Sequence, residues 1–407
     1  MGEPISLRTP TDLAREMPKT SRPARARGGV GTRLQEGFAH AQRDREALLV
    51  LLSLPSLTPR RLLELSAEHG VASRCLEAVR GGAFASSADR RRAATMTGSD
   101  VAEQVKGAGA RFLTTDDPEY PKAMFDLFDP PAGLFVKGAK LGELEPRVAI
   151  VGARNCSAPG AEIAHLLGRD LALAGVCVVS GAARGIDAAA HRGALESAGR
   201  TMAVLGCGID IAYPAQNRGL LEQVSGSGAV LSEYPPGTPA EPFRFPARNR
   251  IVAALSMAVV VVEGALGSGS MITADHALEI GRDVFAVPGS VSSELAQVPL
   301  LLIRDGAGLV RGAEDLLSDL GLIALAPAGH GSTERPAVGE LGALTGASAN
   351  ERSVWEALRS ASPADALTAA TGLSLPEVMS ALLGLELRRL VLRVGGRYER
   401  RPGKEWC

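Results

Sequence analysis

The alternation of short apolar runs with helical segments constrains the fold of this chain more than any other feature. Six runs rich in Val and Ile recur between residues 148 and 287, and almost every position in them is apolar. Strands covered on both faces have this continuous apolar character. Segments with helical spacing lie between the runs, at Ala161–Ala174, Ala188–Ala198 and Ile272–Gly281. Because right-handed crossovers join parallel strands, the pattern predicts a doubly wound α/β sheet. The predicted strands are Val148–Val151, Val176–Ser180, Met202–Leu205, Ala229–Ser232, Ala258–Val262 and Val284–Val287.

The regions flanking this sheet predict further domains, since 407 residues exceed one ordinary core. Residues 1–40, rich in Pro, Arg, Gly and Thr, predict a disordered basic arm. Residues 41–110 predict a helical domain, in which Leu54–Leu62 resembles a helix-hairpin-helix. Ser56 and Thr58 stand where such a turn normally has glycines, so a structural or protein-contact role is favoured.

The carboxyl-terminal part predicts a linker and a small domain. We assign residues 111–322 to the sheet domain and residues 323–350, rich in Ala, Gly, Pro and Ser, to a flexible linker. Residues 351–400 contain three helical segments and then a hairpin pattern around Gly395-Gly396, as in a winged helix. The third helical segment, Leu375–Leu387, has few polar side chains that could contact bases. A partner-binding module is therefore as consistent with this domain as a DNA-reading one.

Charge and cysteine usage limit the classes of function. A formal net charge of −1 gives no overall attraction for nucleic acid, so such binding requires a local patch. The five cysteines form no CxxC pair, which argues against a zinc site or disulfide framework and fits a reducing cytosol. The chain has no apolar signal core and no apolar stretch long enough to span a bilayer. We expect a soluble, cytoplasmic protein without a membrane partner, a metal or a cofactor.

Four arginines follow strands or begin helices. Arg154 and Arg184 come shortly after the first and second predicted strands, and Arg248 and Arg250 lie in the segment Phe245-Pro-Ala-Arg-Asn-Arg. Loops at the carboxyl ends of parallel strands converge on one ligand site. Several guanidiniums in one cleft repel each other, and a phosphate-rich anion offsets that repulsion. The pattern predicts a site for a polyanion, with nucleic acid as the leading candidate.

Two small loops and one aromatic residue extend the predicted site. Ser180-Gly181 and Gly267–Ser270 each follow a strand and precede a helix, where backbone amides and hydroxyls form a phosphate cradle. The alternative is a tight strand-to-helix turn, which requires glycine in any case. Phe245 is predicted to stack on an unpaired base, because Pro246 keeps the segment extended. The alternative is a core phenylalanine.

Signals for catalysis are weak. The glycines after the first and third strands do not complete G-x-G-x-x-G, and no P-loop motif is present. Asp187 and His191 share a helical face without a nucleophile or metal set, so a helix cap and a hydrogen bond are the favoured roles. Glu233 and Glu263 end strands and are expected to orient the arginines rather than act as acid and base. We expect no enzyme activity.

Taken in order, a set of short motifs resembles the DNA-processing protein A (DprA/Smf) family over about residues 114–320. The resemblance implies an extended Rossmann fold, usually a homodimer. It also implies single-stranded DNA binding that protects incoming DNA and loads the RecA recombinase in natural transformation, without enzyme activity. The motifs are Tyr120-Pro121, Asp129–Pro131, Val148–Arg154, Ser180–Asp187 with Ala190-His191, Ala203–Asp210, Tyr213-Pro214 with Asn217, Phe245–Ile251, Ser268–Ser270 with Thr273-Ala274, and Phe285–Gly289.

The resemblance also assigns DNA-pocket residues and identifies departures. Ala153 and Ala182 replace Thr or Ser and Leu, which are mild changes. Val298–Leu300 stands where the family usually carries Gly-x-Asn, and we expect this change to alter one wall of the pocket. The family positions for the pocket are Arg154, Ser180, Gly181, Arg184, Phe245, Arg248 and Asn249, to which the loops above add Arg250, Ser268, Gly269 and Ser270.

Two other functions stay open. The first is a nucleotide-hydrolysing Rossmann enzyme similar to the phosphoribohydrolases, whose Pro-Gly-Gly-x-Gly-Thr-x-x-Glu motif carries an acid where Thr273 stands here. The second is a transcription regulator that uses the winged helix and its basic tail. Nucleotide turnover would favour the first, and a sequence-specific footprint on duplex DNA the second.

Overall fold

The structure is a computed structural model that describes residue 34 and residues 37–83, 86–322, 348–358, 362–387, 390–394 and 397–400. The chain divides into two compact units, Met1–Pro327 and Ala328–Cys407. The predicted arm and linker, and the glycine pair at residues 395–396, lie outside or almost wholly outside the described residues.

The first unit begins with helices that carry two apolar faces. Thr58, Ser86 and Thr97 each accept a hydrogen bond from the N–H three residues further on, which starts three of the helices. One face packs within the helical segment, while Leu49 and Val101 pack with Phe135 of the sheet. The helical segment and the sheet therefore share a core. These helices are α1 (Gln42–Leu52), α2 (Pro59–His69), α3 (Ala72–Gly81), α4 (Ser87–Thr95) and α5 (Gly98–Gly107).

Two polar residues of the α1–α2 turn, Ser56 and Thr58, contact this same helical segment. The Thr58 hydroxyl accepts from the Arg61 N–H at 3.4 Å, and the Ser56 hydroxyl donates to the Asp89 carboxylate. These contacts fit the structural role favoured for this turn.

A nine-stranded sheet forms the centre of the first unit. Its spatial order is β1-β2-β6-β5-β4-β3-β7-β8-β9. Neighbouring strands from β6 to β9 in this order pair in parallel, whereas β2 pairs antiparallel with both β1 and β6. All six predicted strands are present within one residue at each end (β3 to β8). The strands are β1 (Arg111–Thr114), β2 (Gly133–Gly138), β3 (Arg147–Val151), β4 (Cys177–Ser180), β5 (Thr201–Leu205), β6 (Ala229–Ser232), β7 (Ala258–Val261), β8 (Asp283–Ala286) and β9 (Gly308–Leu309).

Helices cover both faces of this sheet, which confirms the doubly wound prediction. Alternate residues of β3 face opposite cores: Val148 and Ile150 pack with α6, α7 and α12, whereas Ala149 and Val151 pack with α9, α10 and α11. The helices are α6 (Ala158–Leu173), α7 (Ile186–Glu196), α8 (Arg218–Ser227), α9 (Arg244–Leu255), α10 (Gly269–Glu279), α11 (Gln297–Arg304) and α12 (Ala313–Asp319), with short 3-10 turns at Lys122–Asp126, Leu141–Glu143, Ala215–Asn217 and Glu294–Ala296.

The order of the strands creates a topological switch beside β3. The chain winds outward from β3 through β4, β5 and β6, and then returns to the other side of β3 to add β7 and β8. The loops that follow β3 and β7 therefore leave the sheet toward opposite faces and open a crevice between them.

The second unit has the helices and hairpin of a winged helix. Val354, Leu382 and Leu385 form its core with Tyr398 of the hairpin. The elements are α13 (Ala349–Ala357), α14 (Ala364–Thr371), α15 (Leu375–Leu387), β10 (Val391–Val394) and β11 (Arg397–Arg400), and the two strands pair antiparallel. Leu375, Met379 and Leu383 recur every four residues along α15 and are exposed.

Among the described residues, no single helix has the length and apolar character needed to cross a bilayer. The helices α14 and α15 meet that test only together, and they bend by 110° at the break between them.

Candidate nucleic-acid interface

A cleft of about 560 Å³ opens at the carboxyl edge of the sheet, at the topological switch. The loops after β3, β4 and β7 line it, together with the first turns of α9 and α10. Its polar lining includes Arg154, Asn155, Asp187, Arg248, Asn249, Ser268, Ser270 and Thr273, and its apolar lining includes Val252 and Leu295.

Glycines allow the loops to approach each other at the floor of this cleft. A Cβ on Gly152 would lie 2.9 Å from the Glu263 carbonyl oxygen, and the Ala153 N–H donates to that oxygen at 2.8 Å. Gly185 has a φ of 76°, a conformation that favours glycine, directly before α7. The loop after β3 is thus held between its two neighbours, and Arg154 is exposed on it.

Glu263 starts α6 instead of orienting an arginine. Its carboxylate accepts from the Ser157 N–H at 2.9 Å and from the Ser157 hydroxyl at 2.5 Å, while the Gly160 N–H donates to that hydroxyl at 3.0 Å. The expectation that Glu263 positions an arginine is therefore wrong, because the first turn of α6 takes both carboxylate oxygens.

The amino end of α10 forms one wall of the cleft. The first N–H groups of a helix have no intrahelical acceptor and carry partial positive charge, which suits a phosphate oxygen. The hydroxyls of Ser268 and Ser270 lie 2.8 Å apart, and the Asn249 amide donates to the Gly269 carbonyl at 3.0 Å. The structure thus brings the predicted residues Ser268, Gly269 and Ser270 together with Asn249.

Arg248 lies at the inner end of the cleft and is only 3% exposed. Its Nη1 donates to the Gly181 carbonyl at 2.7 Å and to the Val204 carbonyl. A Cβ on Gly181 would lie 2.5 Å from Arg248 Cζ, so the guanidinium requires glycine there. Arg248 therefore ties α9 to the ends of β4 and β5, and its charge lies beneath the cleft rather than at its mouth.

The carboxylate of Asp187 faces this buried charge. Burial raises the pKa of Asp187, and Arg248 and the Ala183 N–H, which donates at 3.3 Å, oppose that rise. Burial likewise lowers the pKa of Arg248, and Asp187 opposes that fall. A guanidinium stays protonated at any ordinary pH, but that of Arg248 is buried beneath the cleft, where Asp187 is the carboxylate that acts on it. The exposed Arg154 is then the cation available to a ligand.

Arg154 and two aromatic rings form a stack beside the cleft. The Arg154 guanidinium lies 4.9 Å from the centroid of the Phe245 ring, and the Tyr213 ring stacks on Phe245 at 5.0 Å with an angle of 29° between planes. Phe245 is half-buried, whereas Tyr213 is 44% exposed. Sequence reasoning did not select Tyr213 as a site residue, although the Tyr-Pro pair was noted as a motif.

Phe245 lies in a helix, so the prediction that Pro246 keeps this segment extended is wrong. It occupies the second position of α9, and Pro246 the third. The first turn of a helix tolerates proline, because the N–H that proline lacks has no intrahelical acceptor there.

Arg250 is turned away from the cleft, and the prediction that four arginines share it is wrong. Its Nη2 donates to Glu233 at 2.7 Å and its Nε lies 3.2 Å from Asp129, with the guanidinium 6% exposed. Arg250 lies two residues after Arg248 on α9, and a helix places such neighbours on different faces. The expectation that Glu233 orients an arginine is confirmed by this pair.

Two further predicted residues do not line the cleft. Ser180 is fully buried, and its hydroxyl donates to the Ile150 carbonyl at 2.6 Å, which joins β4 to β3. A phosphate cannot reach it there, so the predicted contact is wrong. Arg184 is exposed after β4 but does not line the cleft, and its contact with DNA stays a prediction.

His191 and the Val298–Leu300 segment also do not line the cleft, and their contacts are structural. His191 Nδ1 lies 2.7 Å from the Thr201 hydroxyl, as the favoured hydrogen-bonding role predicts. Val298 is buried in the first turn of α11, and its N–H donates to the Gly264 carbonyl at 2.9 Å. Leu295 supplies the cleft lining from this region, so the residues that replace Gly-x-Asn do not form the wall.

Among the residues that the structure describes, no group of three or more His, Cys, Asp or Glu side chains is placed to hold a metal ion.

A doubly wound sheet with an arginine and a helix amino end at its switch point defines a Rossmann-like protein whose crevice has the features that suit an anion. The sequence profile of the DNA recombination-mediator protein A family matches residues 111–321, and that of the DprA winged helix domain matches residues 340–397. The chain belongs to the DNA recombination-mediator protein A family.

Individual relatives agree with this assignment. Protein Smf of Synechocystis is 38% identical over 328 residues, which cover 74% of this chain and 82% of that protein. The putative DNA processing protein DprA of Mycobacterium tuberculosis is 40% identical over 315 residues, which cover 74% of this chain and 79% of that protein. The crystal structure of DNA processing protein A from Streptococcus pneumoniae superposes with a TM-score of 0.60 at 34% identity, covering 68% of this chain and 97% of that one.

Proposed function

We propose that the cleft at the switch point binds the phosphate backbone of single-stranded DNA. The observation that carries this proposal is that the exposed Arg154 lines the same cleft as the amino end of α10, to which the Asn249 amide is hydrogen-bonded. A cation and unpaired helix N–H groups facing one crevice suit phosphate oxygens. Membership of a DNA recombination-mediator family makes DNA the natural source of those phosphates.

In the cell, we propose that this binding protects incoming DNA and delivers it to the RecA recombinase during transformation, with the protein acting as a homodimer. These roles come from the family resemblance and the name of the family. Sedimentation of the full chain, and RecA filament formation on coated single strands, would test them.

We also propose that the cleft binds without catalysis. Asp187 is the carboxylate among its lining residues; it accepts a hydrogen bond from the Ala183 N–H, and the charge of Arg248 lowers its pKa against the rise from burial. Thr273 occupies the position of the acid in the phosphoribohydrolase motif, and its hydroxyl donates to the Gly269 carbonyl at 3.1 Å. Incubation with nucleoside monophosphates tests this point, and release of free base would contradict it.

The winged helix offers less support for a duplex-reading regulator. A recognition helix reads base edges with polar side chains, whereas α15 exposes Leu375, Met379 and Leu383. A footprint on a defined duplex sequence would contradict this view.

The decisive experiment compares a fluorescent oligonucleotide as single strand and as duplex, at low and high salt, for three proteins. Wild type should prefer the single strand, and its affinity should fall with salt as counterions are displaced. Arg154→Ala should lose roughly 10- to 100-fold, as expected for a hydrogen bond to a charged group. Arg282→Ala is the matched control, because Arg282 precedes β8 at the opposite edge of the sheet, where it pairs with Asp126. Equal losses in both variants would contradict the proposal.

A further inference from the structure

A cleft that holds only phosphates leaves strand selectivity unexplained, since duplex DNA carries the same phosphates. Selectivity for a single strand requires contact with unpaired bases, and aromatic side chains supply it by stacking. The sequence suggested Phe245 for this contact. In the structure, Phe245 is half-buried and already has the Arg154 guanidinium and the Tyr213 ring against it.

Tyr213 is the ring of this stack that solvent reaches. It is 44% exposed, which leaves much of a large aromatic surface uncovered. Its partner Phe245 is fixed from behind, since a Cβ on Gly206 would lie 2.9 Å from Phe245 Cδ1. The Tyr213 ring therefore packs on a Phe245 ring that the backbone at Gly206 supports from the other side.

The loop that carries Tyr213 is tied to the wall of the cleft. Asn217 is 4% exposed, and its amide donates to the Ala182 carbonyl at 3.0 Å and to the Ala183 carbonyl at 3.4 Å. Ala183 lines the cleft. This anchor, and the contact through Phe245 to Arg154, place Tyr213 at the rim of the phosphate site.

We infer that Tyr213 stacks on an unpaired base of the strand whose backbone occupies the cleft, and that this contact produces the preference for single-stranded DNA. The inference rests on the proposed function and names the residue that selects its substrate. Phe245 supports the Tyr213 ring and holds Arg154 toward the phosphates. Base identity has little influence, because every base has a face for stacking.

The test measures binding of an oligothymidylate and of an abasic strand of the same length, which has the phosphates without the bases. Tyr213→Ala should bind the oligothymidylate roughly 10- to 100-fold more weakly than wild type, and should bind the abasic strand as wild type does. Tyr213→Phe should keep wild-type affinity for both strands. Phe128→Ala is the matched control, since Phe128 is an exposed aromatic residue outside the stack, and it should change neither affinity.

The outcomes separate this inference from the proposal beneath it. Equal losses on both strands would make Tyr213 a residue that positions the cleft, and the stacking role would be wrong. Unchanged binding of oligothymidylate by Tyr213→Ala, with Arg154→Ala still impaired, would overturn the inference and leave the proposed function standing. Failure of wild type to bind either strand would overturn both.

Discussion

The sequence presents Arg154 and Arg250 as equivalent site residues, and replacing Arg250 by methionine separates their roles. Arg250 is buried on α9, where it pairs with Glu233 at 2.7 Å and with Asp129 at 3.2 Å. Methionine keeps much of the apolar stem and removes the charge. Glu233 is then left buried without its partner, while Asp129, which is 36% exposed, regains water.

The expected cost follows from this asymmetry. Removing one partner of a buried ion pair destabilises a protein by about 3–5 kcal/mol, because the remaining charge is uncompensated. In a unit of this size, such a loss lowers the melting temperature by roughly 6–20 °C. Arg250→Met/Glu233→Met should recover most of the loss, since it leaves no buried charge of the pair.

The deficit should also depend on pH. Burial raises the pKa of Glu233, and Arg250 opposes that rise in the native chain. Removing Arg250 removes the contributions that lower the Glu233 pKa, so the folded variant takes up a proton at a higher pH than folded wild type does. Acidification from pH 7 toward pH 5 should therefore reduce the difference in the free energy of unfolding between Arg250→Met and wild type.

Urea denaturation of the full chain at several pH values, together with oligonucleotide affinity of the folded protein, provides the assay. The structure predicts a large loss of stability and little change in affinity for Arg250→Met. An unaltered urea midpoint combined with a tenfold or larger loss of affinity would refute the reasoning and return Arg250 to the DNA site.

Three further predictions concern the supports of the cleft. Gly181→Ala should displace the Arg248 guanidinium from its carbonyl acceptors, lowering stability by about 1–3 kcal/mol and weakening oligonucleotide binding; a urea midpoint equal to that of wild type would count against it. Burial of the His191 imidazole lowers its pKa from 6.5 to about 3, so the unfolded chain binds the extra proton and stability falls as the pH drops between these values. His191→Gln should reduce the slope of stability against pH by up to about 1.4 kcal/mol per pH unit. Identical slopes for the variant and wild type would disprove this. Ser157→Ala should cost about 1 kcal/mol by removing the hydroxyl between Glu263 and the first turn of α6, and Ser157→Thr should not if the cap is the cause.

Local patterns in the sequence were sufficient to predict the centre of the sheet. The Val-rich runs β3 to β8 are buried on both faces, so their composition alone marks them. The edge strand β1 and its neighbour β2 were missed, since β2 packs against β6 far along the chain, and the other edge strand, β9, has only two residues. The helix α9 was missed because its proline suggested an extended segment.

The different roles of the site residues depend on contacts between segments that are far apart in sequence, which no local pattern shows. The sequence assigns Arg154 and Arg250 to the same predicted site, but only Arg250 meets Glu233 and Asp129. Asp129 is distant in sequence, and its approach exists only after the fold has formed. The stack of Tyr213 on Phe245 likewise joins a loop to the first turn of α9, so neither residue alone indicates it.

Cross-linking of an oligonucleotide that carries 5-iododeoxyuridine, followed by mapping of the attached peptides, tests the central claim most directly. The proposed site predicts attachment within residues 152–157, 213–217 and 242–249, and loss of these adducts in Arg154→Ala. Attachment confined to the winged-helix unit, within residues 349–400, would contradict the assignment of the cleft as the DNA site.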